Sequence, residues 1–235
     1  MATDDVKRKL TAIFSADVVG YSRLMGEDEL ATVQTLTSYK QTMTKLIKHY
    51  RGRVLDSIGD NLMAEFASVV DAVQCAVEVQ QVLSSKNEDL PQNRKMLFRI
   101  GINLGDVIEE GDRIYGDGVN IAARVESLAE GGGVCISGSA FEQIENKLAL
   151  GYQYMGEHTV KNIAKPVKVY RVPMGPVEEK EKKRPFRGWQ KAALAAVAVL
   201  ILAGVAAALW HYYWRPSTLP IEVASVEKMA FPLPD

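Results

Sequence analysis

The chain has 235 residues, of which 47% are hydrophobic and 24% charged, and its formal net charge is −1. This apolar fraction is sufficient for a packed core and excludes a wholly disordered chain, while the near-neutral charge argues against a nucleic-acid partner. Two cysteines without metal-ligand spacing and three histidines disfavour a disulfide scaffold, a zinc site and a histidine-based centre. Carboxylates are therefore the expected metal ligands.

Residues 1–173 alternate between strand-like and helix-like patterns. A continuous apolar run around one acid at 10–19 is typical of a buried strand, and the later patterns follow by the same criteria. The predicted elements are a strand at 10–19, a helix at 27–50, a hairpin of 53–58 and 62–66, a helix at 69–83, a strand at 97–107, a helix at 118–128 and a strand at 134–136. This β-α-β-β-α-β order predicts an α+β, ferredoxin-like domain with an antiparallel sheet and helices on one face.

The C-terminal part is predicted to meet a membrane. Residues 192–210 carry no charge, and aromatic residues flank them, which predicts one transmembrane helix at 192–211. A basic juxtamembrane linker at 174–191 precedes it and an extracytoplasmic tail or linker at 212–235 follows. The excess of Lys and Arg before the helix places the first domain in the cytoplasm, at a single-pass inner or plasma membrane.

Two acids are candidate metal ligands. Asp17 lies inside the first apolar run, where an unpaired carboxylate is costly, and Asp60 lies at the tip of the predicted hairpin. Because the first strand neighbours the hairpin in a ferredoxin-like sheet, the two carboxylates can converge on a Mg²⁺ site that phosphate oxygens complete. The alternative is that Asp60 only makes the turn and Asp17 only caps a loop.

A second candidate feature is the predicted helix at 118–128. Asn120 and Arg124 are four residues apart and project from one helix face. An amide beside a guanidinium can bind a ribose and a phosphate. The alternative is a polar stripe that faces solvent.

Four segments in this order and spacing resemble the catalytic domain of class III adenylate/guanylate cyclases: FSADVVGYSRLM, GRVLDSIGDNLMAEF, FRIGINLGDVI and IYGDGVNIAARVESLA. The resemblance covers roughly residues 8–172. It implies an enzyme for intracellular signalling that converts ATP to 3′,5′-cyclic AMP and pyrophosphate. It also implies a head-to-tail homodimer with active sites at the subunit interface.

The resemblance assigns roles to individual residues. One subunit would offer Asp17 and Asp60 for two Mg²⁺ or Mn²⁺ ions in each active site, and Arg99 for the β- and γ-phosphates. The other would supply Asn120 for the ribose and Arg124 for the α-phosphate in the transition state. Lys161 would reach the polyphosphate.

The base-reading positions depart from the family pattern. Where adenylate cyclases usually carry Lys and Asp, this chain has Asp56 and Arg113. The pair could read guanine, could read adenine with exchanged roles, or could form a salt bridge with each other. We favour ATP by analogy with similar bacterial proteins.

Two other functions fit parts of the pattern. The altered base-reading pair also suits a degenerate cyclase domain that serves for dimerisation or nucleotide sensing. A diguanylate cyclase or a polymerase palm would share the ferredoxin-like fold, but the expected GGDEF-type turn is missing from the sequence.

Overall fold

A computed structural model of the chain describes residues 7–160, 163, 165–174 and 187–214. The chain divides into two units, Met1–Glu178 and Glu179–Asp235. The described strands of the first unit are β1 (Lys7–Val18), β2 (Arg53–Asp56), β3 (Leu62–Phe66), β4 (Phe98–Glu110), β5 (Arg113–Tyr115), β6 (Val134–Ser137), β7 (Gln153–His158) and β8 (Val167–Val172). Its helices are α1 (Tyr21–Glu27), α2 (Glu29–His49), α3 (Val69–Glu88), α4 (Asp117–Ser127) and α5 (Gly138–Ile144).

The strands form one sheet in the order β2-β3-β1-β4-β6-β8-β7, and β5 pairs with the far end of β4. Neighbouring strands are antiparallel except β4 and β6, which are parallel. The predicted α+β class with a mostly antiparallel sheet is confirmed. β1 lies in the middle of this order, and its residues from Thr11 to Ala16 are all buried, which explains its uninterrupted apolar run.

The helix predicted at 27–50 is α2, and its start at Glu29 is set by Asp28. Asp28 is extended, with φ −159°, and its side chain accepts a hydrogen bond of 2.9 Å from the Ala31 backbone amide. This contact caps α2 at its N-terminus and ends the short helix α1 immediately before it. The 7 residues of α1 are too few to show an apolar periodicity, and this helix was not predicted.

The prediction that all helices lie on one face of the sheet is wrong. Residues of α1, α2, α3 and α5 pack with Phe14 and its neighbours in the main core, whereas α4 packs with Ile13 in a separate apolar cluster. Since successive strand residues point to opposite faces, Phe14 and Ile13 mark the two faces of β1. α4 therefore covers the face opposite to the other four helices.

Glycines allow α4 to lie directly on β4. A Cβ atom added at Gly101 would lie 2.1 Å from the backbone nitrogen of Glu126 in α4. At Gly105 an added Cβ would lie 2.9 Å from the Cα atom of Gly118. The GINLG segment thus fixes the helix against the strand at two points.

Besides α1, four elements beyond the ferredoxin-like order were not predicted from the sequence, namely β5, β7, β8 and α5. β5 has only 3 residues and α5 only 7, so neither is long enough to show a periodicity. β7 is exposed or half-buried along its length, and among the described strands only β8 pairs with it. Edge strands of this kind lack a strong apolar signal.

The second unit contains helix α6 (Arg187–Tyr213), which includes the apolar segment predicted at 192–211. Across the residues that the structure describes, however, no helix has the length and apolarity that a membrane crossing requires. The predicted transmembrane helix therefore stays a prediction. Most of the predicted linker (175–186) and most of the predicted tail (215–235) lie outside the described residues.

Candidate active site

Asp17 and Arg99 lie side by side at one end of the sheet. They are opposite each other in the antiparallel ladder of β1 and β4. The Arg99 guanidinium donates a hydrogen bond of 2.7 Å from Nη2 to Asp17 Oδ2. The carboxylate that interrupts the apolar run of β1 is therefore compensated by a cation from the neighbouring strand.

The loop between β2 and β3 brings Asp60 to the same end of the sheet. β3 begins at Leu62, which is paired with Ala16, the residue before Asp17. The chain turns at Gly59, whose φ of +58° favours glycine. The pKa of Asp60 is raised overall. Partial burial is the largest cause, a hydrogen bond to its own backbone acts in the opposite direction, and the neighbouring Asp17 carboxylate raises the pKa further. The structure thus brings the two predicted acids together.

These two acids suit a divalent cation that other molecules help to bind. Two neighbouring carboxylates repel each other, and this repulsion raises the pKa. A cation bound between them stabilises both negative charges. Among the described residues, no group of three or more His, Cys, Asp or Glu side chains could hold a metal ion. Asp17 and Asp60 would therefore supply only part of the ligand shell, and phosphate or water oxygens would supply the rest.

Glu126 of α4 completes a largely buried network around Arg99. Glu126 was not among the residues predicted from the sequence. Its side chain accepts a hydrogen bond of 2.9 Å from Ser15 Oγ, and its Oε1 forms an ion pair with Arg99 Nε at 3.0 Å. Glu126 is 5% exposed, and burial raises its pKa to about 7. A signal existed, because Glu126 continues the helical stripe of the buried Ala122 and Ala129.

Lys40 of α2 holds the loop that carries Asp60. Its ammonium donates hydrogen bonds to the backbone carbonyls of Gly59, at 2.7 Å, and Ser57, at 3.2 Å. Partial burial lowers the pKa of Lys40, while the charges of Asp60 and then Asp56 raise it. No sequence signal could have identified this residue, since it contacts backbone atoms of a distant segment.

Asn120 and Arg124 do not join this network. Both are exposed on α4, whereas Ala122, Val125 and Glu126 of the same helix are buried against the sheet. The predicted shared helix face is therefore present, and within the described residues neither side chain forms a hydrogen bond or an ion pair with Asp17 or Asp60.

The base-reading candidates are also exposed. Asp56 ends β2, where its Oδ1 accepts a hydrogen bond of 2.7 Å from the Ser57 backbone amide, and Arg113 begins β5. Within the described residues these two side chains form no ion pair with each other, so the predicted alternative of a salt bridge is not seen. Lys161, predicted to reach the polyphosphate, lies outside the described residues.

A cavity of about 510 Å³ lies elsewhere in the first unit, beside the C-terminal half of α3. Gln80, Asn87, Met96 and Met174 are among its lining residues, and none of the candidate site residues is. Asp17 and Asp60 therefore lie apart from this cavity, at an open end of the sheet.

The sequence matches a family model described as the adenylate and guanylate cyclase catalytic domain over residues 5–173. The chain belongs to this family. The matched residues include every candidate site residue of this cyclase domain, from Asp17 to Lys161. The resemblance noted in the sequence is therefore confirmed.

Individual relatives of the cyclase domain carry names from both branches of the family. A Rhizobium meliloti protein named "Putative adenylate cyclase 3" is 43% identical over 171 residues, which are 72% of this chain and 29% of that protein. The crystal structure of an adenylate/guanylate cyclase/hydrolase from Silicibacter pomeroyi is 34% identical, with a TM-score of 0.68, over 72% of this chain and 98% of that one. The guanylyl cyclase Cya2 is 25% identical, with a TM-score of 0.62, over 74% and 97% of the two chains.

Proposed function

We propose that the chain is an adenylate cyclase that converts ATP to 3′,5′-cyclic AMP and pyrophosphate for intracellular signalling. The observation that carries the proposal is the convergence of Asp17 and Asp60 in a chain of the cyclase family. A reaction in which a ribose hydroxyl displaces pyrophosphate needs no covalent enzyme intermediate, so orientation and charge stabilisation are the main tasks of the protein.

In this proposal Asp17 and Asp60 hold Mg²⁺ or Mn²⁺, two ions in each active site, together with the triphosphate. When bound, the ions lower the pKa of the 3′-hydroxyl and offset charge on the phosphates. The two carboxylates would position the ions, because β1 and the β2–β3 loop place both side chains at one end of the sheet.

Arg99 has donors to spare for the substrate. A guanidinium carries five N–H groups, and its described partners are the carboxylates of Asp17 and Glu126. The remaining donors can bind β- and γ-phosphate oxygens while the ion pairs keep the side chain in place. Arg99 would thus join the metal-binding carboxylate to the phosphates.

Asn120 and Arg124 are proposed to act in a second copy of the chain. Their exposure on α4 suits a homodimer in which the helix of one subunit faces the acids of the other. There Asn120 would orient the ribose, and Arg124 would stabilise charge on the α-phosphate in the transition state. Each subunit would thus supply metal ligands to one active site and the Asn120 and Arg124 side chains to the other.

A guanylate cyclase is the second candidate, and the Asp56 side chain favours it. A carboxylate accepts well from the N1–H and N2–H₂ groups of guanine, while Arg113 could donate to O6. The exposed positions of Asp56 and Arg113 are equally compatible with adenine, through acceptance from the N6 amine and donation to N1. We keep ATP as the proposed substrate because the Rhizobium meliloti relative carries the name "Putative adenylate cyclase 3".

The test is to incubate the purified chain with Mn²⁺ and ATP, GTP, CTP or UTP separately, and to identify the products by mass spectrometry. We expect cyclic AMP from ATP and no product from an Asp60→Asn variant of unchanged circular dichroism. Cyclic GMP as the main product would favour the second candidate. Triphosphate binding without any cyclic product would instead support a non-enzymatic sensing or dimerisation module.

Membrane attachment with a cytoplasmic domain is proposed on the sequence pattern alone. The uncharged run at 192–210 and the preceding basic residues support it. The test is carbonate extraction of membranes from cells that express the chain, with Leu202→Arg as the disruptive variant and Leu202→Ala as its control. We expect the unchanged chain and the Ala variant in the pellet, and more of the Arg variant in the supernatant. Complete extraction of the unchanged chain would contradict the proposal.

A further inference from the structure

We propose that Lys40 is a positioning residue that holds the β2–β3 loop, and with it the Asp60 carboxylate, against Asp17. The inference rests on the proposed function, because it takes Asp60 as a metal ligand. It concerns a residue of α2 that is separated from the loop by 17 residues or more.

The contacts of Lys40 define the restraint. The loop at 57–61 leaves the sheet after Asp56 and returns at Leu62, so no ladder hydrogen bond of β2 and β3 fixes its middle. The Lys40 ammonium bonds the carbonyl of Ser57, which precedes the turn, and the carbonyl of Gly59, which lies in it directly before Asp60. One side chain therefore connects a long helix to the turn that carries Asp60.

The anchor itself is firmly placed. α2 has 21 residues, and its buried Tyr39, Met43 and Ile47 fix it in the main core. Lys40 directly follows Tyr39, so the start of its side chain is set by that packing. A flexible lysine stem normally gains little from one exposed contact, but two simultaneous hydrogen bonds to backbone carbonyls restrict it here.

The positive charge of Lys40 also suits its position near Asp56 and Asp60. Asp56 and Asp60 both act electrostatically on the ammonium, so the loop presents two acids next to one cation. Without the cation, repulsion from Asp17 would favour a loop conformation with Asp60 turned away. Lys40 would thus preorganise the site before any metal ion arrives.

The experiment compares Lys40→Met with Lys45→Met in the full chain. Met keeps the apolar stem and the helix propensity of Lys but removes the donor, and Lys45 is an exposed lysine of the same helix. Mn²⁺ binding is measured by calorimetry, and hydrogen exchange of residues 57–61 is measured without metal. For Lys40→Met we expect Mn²⁺ affinity about tenfold lower and faster exchange of the loop, both relative to Lys45→Met.

Activity gives a separate readout. For Lys40→Met we expect the Mn²⁺ concentration for half-maximal rate to rise by about the same tenfold factor, with the rate at saturating Mn²⁺ less than about threefold lower. Lys40→Arg, which keeps a donor, should lie between the unchanged chain and Lys40→Met in both affinity and exchange. Lys40→Arg also serves as the second variant if Lys40→Met fails to fold.

The inference is overturned if both Lys40 variants match Lys45→Met in Mn²⁺ affinity and in loop exchange. A parallel Asp60→Asn variant separates this failure from that of the proposed function. If Asp60→Asn loses Mn²⁺ binding while the Lys40 variants keep it, only the role of Lys40 is wrong. If Asp60→Asn binds Mn²⁺ like the unchanged chain, the assignment of Asp60 as a metal ligand is wrong.

Discussion

Arg99 contacts two acids from different parts of the fold, Asp17 in the adjacent strand and Glu126 in the helix above it, at 2.7 and 3.0 Å. The Asp17 contact ties together β1 and β4, whereas the Glu126 contact ties α4 to the same point. One guanidinium thus connects a proposed metal ligand with the helix that carries Asn120 and Arg124.

Replacement of Arg99 by Gln should lower both stability and activity. Asp17 and the buried Glu126 would lose the cation that both contact, so we expect the free energy of unfolding to fall by about 1–3 kcal/mol. Urea denaturation measures this change. Arg8→Gln is the control, because the Arg8–Asp106 pair is exposed and should contribute less than about 1 kcal/mol. Equal losses for the two variants would contradict a special role of Arg99.

Glu126 should make stability depend on pH. Its pKa is raised from 4.5 to about 7 in the folded chain, so the folded state keeps a proton that the unfolded state releases. The contribution of Glu126 to the free energy of unfolding is therefore greatest below pH 4.5, decreases as the pH rises to about 7, and then stays constant. Glu126→Gln should remove this decrease. Urea unfolding between pH 5 and 8 measures it.

The control for this pH dependence is Glu142→Gln, since Glu142 is exposed on α5. We expect the Glu142 variant to follow the unchanged chain at every pH. If the Glu126 variant does the same, the carboxyl group does not titrate in the range assigned to it.

Gly101→Ala should be strongly destabilising. The added Cβ would lie 2.1 Å from the Glu126 backbone nitrogen, so α4 would have to move away from β4. We expect a loss of about 3 kcal/mol in the free energy of unfolding. Gly26→Ala is the control, because no atom lies within 4 Å of its added Cβ and Ala is the better helix former, worth up to about 1 kcal/mol. A Gly101 variant as stable as the Gly26 variant would argue against the close contact of α4 and β4.

A subunit-mixing experiment tests whether the active site is shared. Asp60→Asn and Arg124→Ala should each lower the cyclase rate by at least about 100-fold, since each site would lose a metal ligand or a charge-stabilising group. After refolding the two as an equal mixture, about half of the dimers should contain both variants and one intact site. The rate should then recover to about a quarter of that of the unchanged chain. A mixture that stays as inactive as its components would exclude the shared arrangement.

Local sequence signals were sufficient for the elements that carry the site. The apolar run of β1 around Asp17 predicted a buried strand, and the turn signal before Asp60 separated β2 from β3. The spacing of Asn120 and Arg124 placed both on one helix face. These features depend on periodicity and turn chemistry, which act within a few residues and are visible in the sequence.

Only the tertiary structure decided on which side of the sheet α4 lies and which contacts Glu126 and Lys40 make. The side depends on the close approach that Gly101 and Gly105 permit, and the sequence does not say which helix uses a glycine. Glu126 reaches Ser15 over 111 residues of chain, and Lys40 binds backbone carbonyls, which are the same in every residue type. Such contacts arise only once the sheet has brought distant segments together, because their energy depends on distance in space and not on spacing in the chain.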